Sequence, residues 1–433
     1  MSSRWLWGFR QLSRRLWLRA ALIGVLGIVA ALVAIVSGPI IPETVTVRIG
    51  ADSVGSILNV LASSMLAVTT FSLSVMTSAY SAASNGATPR ATQLLIEDTT
   101  ALNALSTFLG SFLFSIVGLI VLKAGGYADG GRFVLFLVTI GVIGLIVVSL
   151  LRWIDHLTRL GRLGETTSEV EDAADKAIHD RLRNPYLGGQ KLGNPQTDIP
   201  AEAVALVSDE IGYIQHIDAG LLSNLAERYD ADIYLTINPG TFAYPRTVLA
   251  RVVTSSPDVK IPDATLLKAF SFASERTFDQ DPRFCLIVLG EIASRALSAA
   301  INDPGTAIDV ASRTIRLLTL WSQGPELQED VKYPRLYVPP LRTIDILEDC
   351  VAPFIRYGAT TVEVQIRLLK GLHALSHIGD DEFRTAIKHY IQLCLAQVKA
   401  ASLAEADFLR IKRASEGQDL NLSGPSEPAQ VQP

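Results

Sequence analysis

"SILNVLASSMLAVTTFSLSVMTSAYSAAS", residues 56–84, lies within a run of uncharged residues that extends from Ser53 to Pro89. As a single helix rising 1.5 Å per residue, the whole run would extend roughly 55 Å, whereas the hydrocarbon core of a bilayer is ~30 Å thick. The run is therefore long enough to cross a membrane, and part of it must lie outside the lipid. We expect the chain to be a helical membrane protein.

Three more uncharged runs near the length of a membrane span lie in the first 152 residues. They extend over Ala20–Pro42, Thr99–Leu122 and Phe133–Leu151. Together the four runs predict an α-helical membrane domain with four transmembrane helices. A cleaved signal peptide is the alternative for the first run, and the three spans that follow disfavour it.

Basic residues flank these runs unevenly. Five arginines precede the first run and three follow the fourth: Arg4, Arg10, Arg14, Arg15 and Arg19, and then Arg152, Arg159 and Arg162. The loops on the other side hold Arg48, Lys123 and Arg132. The positive-inside rule therefore predicts that both termini are cytoplasmic. Trp5, Trp7, Trp17 and Trp153 fall at the same inner boundary, where we expect an interfacial aromatic belt.

Hydroxyl side chains recur along the second run. Ser56, Ser63, Thr70, Thr77 and Ser84 are spaced seven residues apart, with Asn59, Ser74 and Ser81 close to the same helix face. We call Ser56, Asn59, Ser63, Thr70, Ser74 and Thr77 the hydroxyl seam. Such a seam serves close packing of helices, or it lines a water-filled path between helices or subunits. Active transport is disfavoured, because the spans contain no carboxylate or lysine for ion coupling.

The region after the spans has mixed helical and strand patterns. We predict a mixed α+β, mainly helical cytoplasmic domain, with an N-cap at Asp218, a capping box of Ser168 with Glu171, and a short strand in "RLYV". The predicted division is a basic and aromatic segment at 1–19, the membrane domain at 20–152, a helix and linker at 153–200, a small α/β unit at 201–256, a helical domain at 257–412 and a disordered tail at 413–433.

The most distinctive cytoplasmic stretch is "RTFDQDPRFCLIVLGEIASRALSAAINDPGTAIDV", residues 276–310. Asp281-Pro282 and Asp303-Pro304 each predict a capping carboxylate followed by a proline at the first helical position. Glu291 and Arg295 are four residues apart and predict a partly buried ion pair. The chemical alternative is a catalytic cluster of carboxylates, for which a nucleophile and a positioned base are missing. The candidate motif residues are Asp279, Asp281, Arg283, Glu291, Arg295, Asn302 and Asp303.

Composition narrows the classes of partner. A formal net charge of −5, with no concentrated basic face after the spans, disfavours nucleic acid. The widely spaced Cys285, Cys350 and Cys394 fit reduced thiols rather than disulfides or a zinc site. His373 and His377 share a helix face but lack a third ligand, so we expect no metal and no cofactor.

Three stretches carry a resemblance to a known family. "FDQDPRFCLIVLGEIASRALSAAINDPGTA", "PRATQLLIEDTTALNALSTFLGSFLFSIVGL" and "GYIQHIDAGLL" resemble the bacterial membrane-protein family called domain of unknown function 2254, over about residues 15–412. Arg283, Asn302, Asp303 and Pro304 match its motif. Cys285 and Ala299 stand where the family commonly has Gly and Pro. The resemblance implies several spans in a bacterial inner membrane and a cytoplasmic domain, and it brings no established activity.

Two functional classes follow from these patterns. The first is a non-enzymatic membrane protein, either an oligomeric passive pore or a membrane-tethered sensor with a cytoplasmic regulatory domain. The second is a membrane-anchored enzyme or ligand-binding protein that uses the Asp-Pro motif. The lipid bilayer is the expected partner in both classes, and a homo-oligomer is left open.

Overall fold

A computed structural model describes residues 16–37, 51–127, 129–256, 259–325 and 331–418. The chain divides into two compact units, with the boundary between Thr166 and Thr167. The first unit is helical. Its elements are α1 (Leu16–Ser37), α2 (Ala51–Gly86), α3 (Thr92–Ile96), α4 (Thr99–Lys123) and α5 (Asp129–Leu157).

Helix α4 forms the centre of the first unit and packs against α1, α2 and α5. Two glycines allow the closest contacts. A Cβ on Gly110 would collide with Ile23 of α1, and one on Gly118 would lie 3.3 Å from Leu58 of α2. Helix backbones approach closely where such small residues meet. Gly110 and Gly118 therefore serve the close packing of α4 against its neighbours.

Three helices of the described chain are long and apolar enough to cross a membrane, and they lie within Asp52–Gly86, Thr92–Lys123 and Gly130–Leu157. The apolar helix Ala21–Ala34 is shorter. The predicted count of four spans is therefore not confirmed. Asp98 caps α4, since its carboxylate accepts the Thr100 and Ala101 amides.

Trp153 corrects the predicted aromatic belt. Its side chain is buried, and its indole N–H donates to Ser72 Oγ of α2 at 2.8 Å. Packing between helices therefore holds this ring, and its N–H binds a protein hydroxyl where the predicted belt requires water. The side chains of Trp5, Trp7 and Trp17 lie outside the described residues.

The second unit begins within α6 (Leu163–Arg183) and contains two sheets. Its elements up to residue 273 are β1 (Gly189–Lys191), α7 (Pro195–Asp198), β2 (Val204–Val207), β3 (Gly212–Ile217), α8 (Ala219–Arg228), β4 (Ala231–Leu235), β5 (Phe242–Ala243), β6 (Val248–Thr254), α9 (Asp263–Leu266) and β7 (Phe270–Ala273). The predicted capping box is wrong, because α6 starts five residues before Ser168 and Glu171 instead binds arginines. Asp218 caps α8 as predicted.

The remaining elements are mainly helical. They are α10 (Pro282–Ala296), α11 (Pro304–Trp321), β8 (Tyr333–Val338), α12 (Thr343–Cys350), α13 (Ala352–Tyr357), α14 (Val362–Leu375), α15 (Asp381–Ala400) and α16 (Glu405–Ser415). Helix α16 thus extends two residues past Arg413, where the disordered tail was predicted to begin.

The larger sheet has the strand order β1-β8-β4-β6-β2, with β8 parallel to both β1 and β4 and with β6 antiparallel to β4 and β2. The smaller sheet has the order β5-β3-β7 and is antiparallel. The "RLYV" strand is confirmed and is longer than predicted. Strands from outside residues 201–256 complete both sheets, so the α/β core draws on chain segments that are far apart in sequence.

Candidate functional site

The hydroxyl seam lies on the outer face of α2. All six of its residues are exposed, whereas Leu58, Met65, Ser72 and Ala79 on the opposite face are buried against the rest of the first unit. Four seam residues, Ser56, Ser63, Thr70 and Thr77, and the four buried residues each repeat every seven residues, which bring an α-helix back to nearly the same direction. The seam is therefore not packed against another described helix of the same chain.

Most hydroxyls of the seam bond to their own helix. Ser63, Thr70, Ser74 and Thr77 each donate to a backbone carbonyl three or four residues earlier, at 2.9–3.1 Å. A hydroxyl that donates inward turns its remaining lone pairs outward. The outer face of α2 thus presents a row of oxygen acceptors.

Asn59 is the most polar member of the seam. Its side chain is exposed, and it makes no hydrogen bond to any residue that the structure describes. The uncharged run of α5 ends at Leu151, and the neighbouring Trp153 contacts Ser72 of α2. Ser72 therefore lies level with the end of the uncharged run of α5. Asn59 precedes Ser72 on α2 by roughly 20 Å at 1.5 Å per residue.

An aspartate–histidine pair at this end of the helices was missed by the sequence analysis. Asp98, the cap of α4, lies 2.7 Å from His156 Nε2 in the last turn of α5, and their side chains are 18% and 21% exposed. The contact is short, although its geometry departs from that of a linear hydrogen bond. The His156 ring also stacks on Trp153 with centroids 5.7 Å apart. Asp98 and His156 are 58 residues apart, so no local pattern indicates their pairing.

The first Asp-Pro pair holds a buried charge cluster. Asp281 is 3% exposed, and its carboxylate accepts the Phe284 amide at 3.1 Å, which caps α10 as predicted. The other carboxylate oxygen lies 2.7 Å and 2.6 Å from two nitrogens of Arg276. Burial raises the pKa of the Asp281 carboxyl. The Arg276 guanidinium and the Phe284 amide favour the ionised form and oppose this shift. Gly240 has a φ of +88°, and a Cβ there would collide with this carboxylate.

Arg283 joins the same end of α10 to α12. It donates from two nitrogens to Asp349 at 2.6 Å and 3.2 Å and lies 3.7 Å from Asp345. Burial raises the pKa of the Asp349 carboxyl, and the Arg283 guanidinium opposes that shift. This motif residue therefore positions helices through its carboxylate partners.

The second Asp-Pro pair lies at the opposite end of α10. Asp303 caps α11 by accepting the Thr306 amide at 3.0 Å and the Thr306 hydroxyl at 2.6 Å, and its own amide donates to Ala296, the last residue of α10. Fifteen residues of α10 at 1.5 Å per residue put roughly 22 Å between the two caps. The structure therefore does not bring Asp281 and Asp303 together.

The other motif residues also act locally. Asn302 adopts a left-handed conformation, with φ of +49°, in the turn that joins α10 to α11. No ion pair forms between Glu291 and Arg295, both half-buried, and Arg295 Nε is buried without a hydrogen bond. Asp279 lies half-buried in the loop before α10. Within the described ranges, no three Cys, His, Asp or Glu side chains form a group that could hold a metal ion.

Comparison with known proteins agrees with the membrane helices. The family of predicted membrane proteins DUF2254 matches residues 13–374. An uncharacterized protein of Mycobacterium bovis is 26% identical over 404 residues, which cover 88% of this chain and 75% of the relative. Uncharacterized proteins of two Mycobacterium tuberculosis strains are 26% and 25% identical over the same shares. No solved structure matches the chain. The chain therefore belongs to the DUF2254 family of predicted membrane proteins.

Proposed function

We propose that this protein is a non-enzymatic protein of a bacterial inner membrane whose copies assemble around the hydroxyl seam and let small ions pass passively. In this proposal α1, α2, α4 and α5 each cross the membrane, and both termini are cytoplasmic. The observation that carries it is the exposure of the whole seam on an apolar helix.

Exposure of the seam to lipid would be unfavourable. An amide such as that of Asn59, moved from water into hydrocarbon without a hydrogen-bond partner, costs about 2–7 kcal/mol. A second copy supplies the complementary surface, because each copy carries the same seam and a symmetry axis can bring the seams together. Small side chains on this face also let helices approach closely.

The outward lone pairs favour a wet seam over a dry one. Oxygen atoms that line a path can replace part of the hydration shell of a cation. The exposed Asp52 at the start of α2 would add negative charge at the predicted outer mouth. We therefore expect the path to prefer cations to anions.

Ion flux into liposomes that contain the purified protein tests this proposal. Thr70→Val keeps the shape of the side chain and removes a seam hydroxyl, so the flux should fall, and Thr77→Val tests the inner end of the path in the same way. Thr69→Val is the matched control, because Thr69 is half-buried and donates to the Met65 carbonyl at 2.6 Å. The control should conduct like the wild type.

Assembly is measured separately on the same samples. Ser63→Cys should form a disulfide between copies under mild oxidation, and Thr70→Val should leave the oligomer intact, since one membrane hydrogen bond contributes only about 1 kcal/mol. Absence of flux at every voltage and ion tried would leave the seam as a packing surface. A monomeric wild type in lipid would contradict assembly itself.

A membrane-anchored enzyme remains the second functional class. Its carboxylate cluster needs Asp281 and Asp303 to act together. Asp281 lies at the start of α10, whereas Asp303 lies beyond the end of α10 and caps α11. The passive path therefore has the stronger structural support.

A further inference from the structure

Arg181, in the last turn of α6, is a buried cation without a bonded partner. Its side chain is 9% exposed, and it makes no hydrogen bond or ion pair with any described residue. Burial lowers the pKa of its guanidinium to about 10, and the charge of Asp281 opposes that shift. The Arg181 nitrogens, unlike Arg295 Nε, are not fully shielded from solvent.

The other two arginines that face Asp281 already have acceptors. Arg276 binds the Asp281 carboxylate, and Arg283 binds Asp349. The Asp281 carboxylate itself is bonded to Arg276 and to the Phe284 amide. Arg181 therefore has no acceptor among these carboxylates. The carbonyl end of α6 stabilises the Arg181 charge in part through the helix dipole. The five N–H donors of the Arg181 guanidinium still have no acceptor among the described residues.

Two more features favour a negative ligand here. The positive end of the α10 dipole lies at Asp281, beside this cluster. Thr277, next to Arg276, has a buried hydroxyl oxygen without a hydrogen-bond partner. A guanidinium fork and a hydroxyl donor are a suitable pair for an oxyanion, since Arg binds phosphate or carboxylate oxygens through two parallel hydrogen bonds.

We propose that Arg181 forms a binding site for a free oxyanion near the start of α10, and that phosphate is a suitable probe of it. The anion would give the Arg181 guanidinium the acceptor that Asp281 does not provide. The Asp281–Arg276 ion pair then borders the site. Gly240 has no Cβ, so the Asp281 carboxylate can lie directly against the backbone of the turn.

Thermal unfolding of the full chain, in a detergent without phosphate groups, tests the site. At constant ionic strength, replacing chloride by inorganic phosphate should raise the melting temperature saturably, by about 4 °C or more at saturation. Arg181→Gln should abolish this rise. Arg316→Gln is the matched control, because Arg316 is 60% exposed and pairs with Glu171, and it should keep the full rise.

Two further measurements keep the test decisive. Without phosphate, Arg181→Gln should melt at or above the wild-type temperature, because it removes an uncompensated buried charge. Arg181→Lys keeps the charge but loses the fork, so its phosphate affinity should fall about tenfold. The proposal is overturned if phosphate gives no saturable rise, if Arg181→Gln or Arg181→Lys binds phosphate like the wild type, or if only added anionic phospholipid stabilises the protein.

Discussion

Asp303 shows what a single carboxylate does in this fold. It is the N-cap of α11, and two groups of Thr306 donate to it. These hydrogen bonds hold the pKa of the Asp303 carboxyl below its usual range. Asp303 therefore stabilises the folded chain in its ionised form.

Replacing Asp303 by Ala should lower the free energy of unfolding by about 1 kcal/mol at neutral pH, the usual cost of a lost N-cap. The lowered pKa sets the sign of the pH dependence. The charged cap contributes above the ordinary carboxyl pKa of about 3.9, and the contribution disappears as the pH falls through the lowered folded value. Melting curves of both proteins should therefore converge in acid.

Asp303→Asn provides the control for this prediction. Asparagine caps helices about as well as aspartate but does not titrate. Its stability at pH 7 should stay close to that of the wild type, and its pH dependence should be weaker. Equal losses for Ala and Asn would mean that the charge, rather than the cap, stabilises α11.

Caps were predictable because they depend on a few neighbouring residues. Asp98, Asp218, Asp281 and Asp303 all cap the helices that follow them. The other partners of these carboxylates were not predictable, since Asp98 meets His156 only after α4 and α5 have packed. Ser168 failed because its neighbours on both sides are helical, and its capping pattern has no effect inside a helix.

Helices α6 and α11 are joined by a cluster around Glu171. The Glu171 carboxylate is 14% exposed and lies 2.5 Å from Arg313 and 2.7 Å from Arg316. Arg313 is also well buried and binds Asp309 as well, whereas Arg316 is largely exposed. The two arginines should therefore contribute unequally.

Arg313→Gln should destabilise the chain by about 3 kcal/mol or more. It leaves the Glu171 carboxylate with Arg316 as its remaining partner, and solvent screens the charge of this exposed arginine. Arg316→Gln should cost under about 1 kcal/mol, as exposed ion pairs do. Chemical unfolding of the two variants, followed by a probe in the second unit, measures both. Equal small losses would show that the α6–α11 contact depends on its apolar residues instead.

The Asp98–His156 pair is the corresponding contact between α4 and α5. A double-mutant cycle with Asp98→Asn and His156→Gln isolates it, because Asn keeps the cap of α4. We expect a coupling energy of about 1 kcal/mol or somewhat more, since both side chains are mostly buried. Asp98→Ala should lose about 1 kcal/mol in addition, through the cap. A coupling energy near zero in unfolding measurements would make the pair incidental.

The seam illustrates what periodicity can and cannot predict. Its seven-residue spacing shows that its members share one face of α2, but Leu58, Met65, Ser72 and Ala79 share the same spacing on the opposite face. No sequence feature of Met65 or Ser72 identifies them as members of the buried face of α2. Only the contacts of α4 and α5 decide which face is covered.

The sheet shows the same limit for the whole second unit. Strand β8 was recognisable from "RLYV", yet it lies between β1 and β4, and its partners are about 100 residues or more away along the chain. Its parallel pairing depends on the intervening helices returning the chain to the sheet. A unit that looks contiguous in sequence is therefore assembled from distant segments.

The distribution of arginines predicts that both termini are cytoplasmic, and cysteine labelling can test this topology. The three native cysteines are buried, so they should not react in the folded protein. Asp129→Cys, at the start of α5, should react in intact spheroplasts with a maleimide that cannot cross membranes. Thr158→Cys, one residue past the end of α5, should react only after the membrane is opened. The reverse pattern would place both termini outside the cytoplasm, and labelling of both sites in intact spheroplasts would mean that α5 does not cross the membrane.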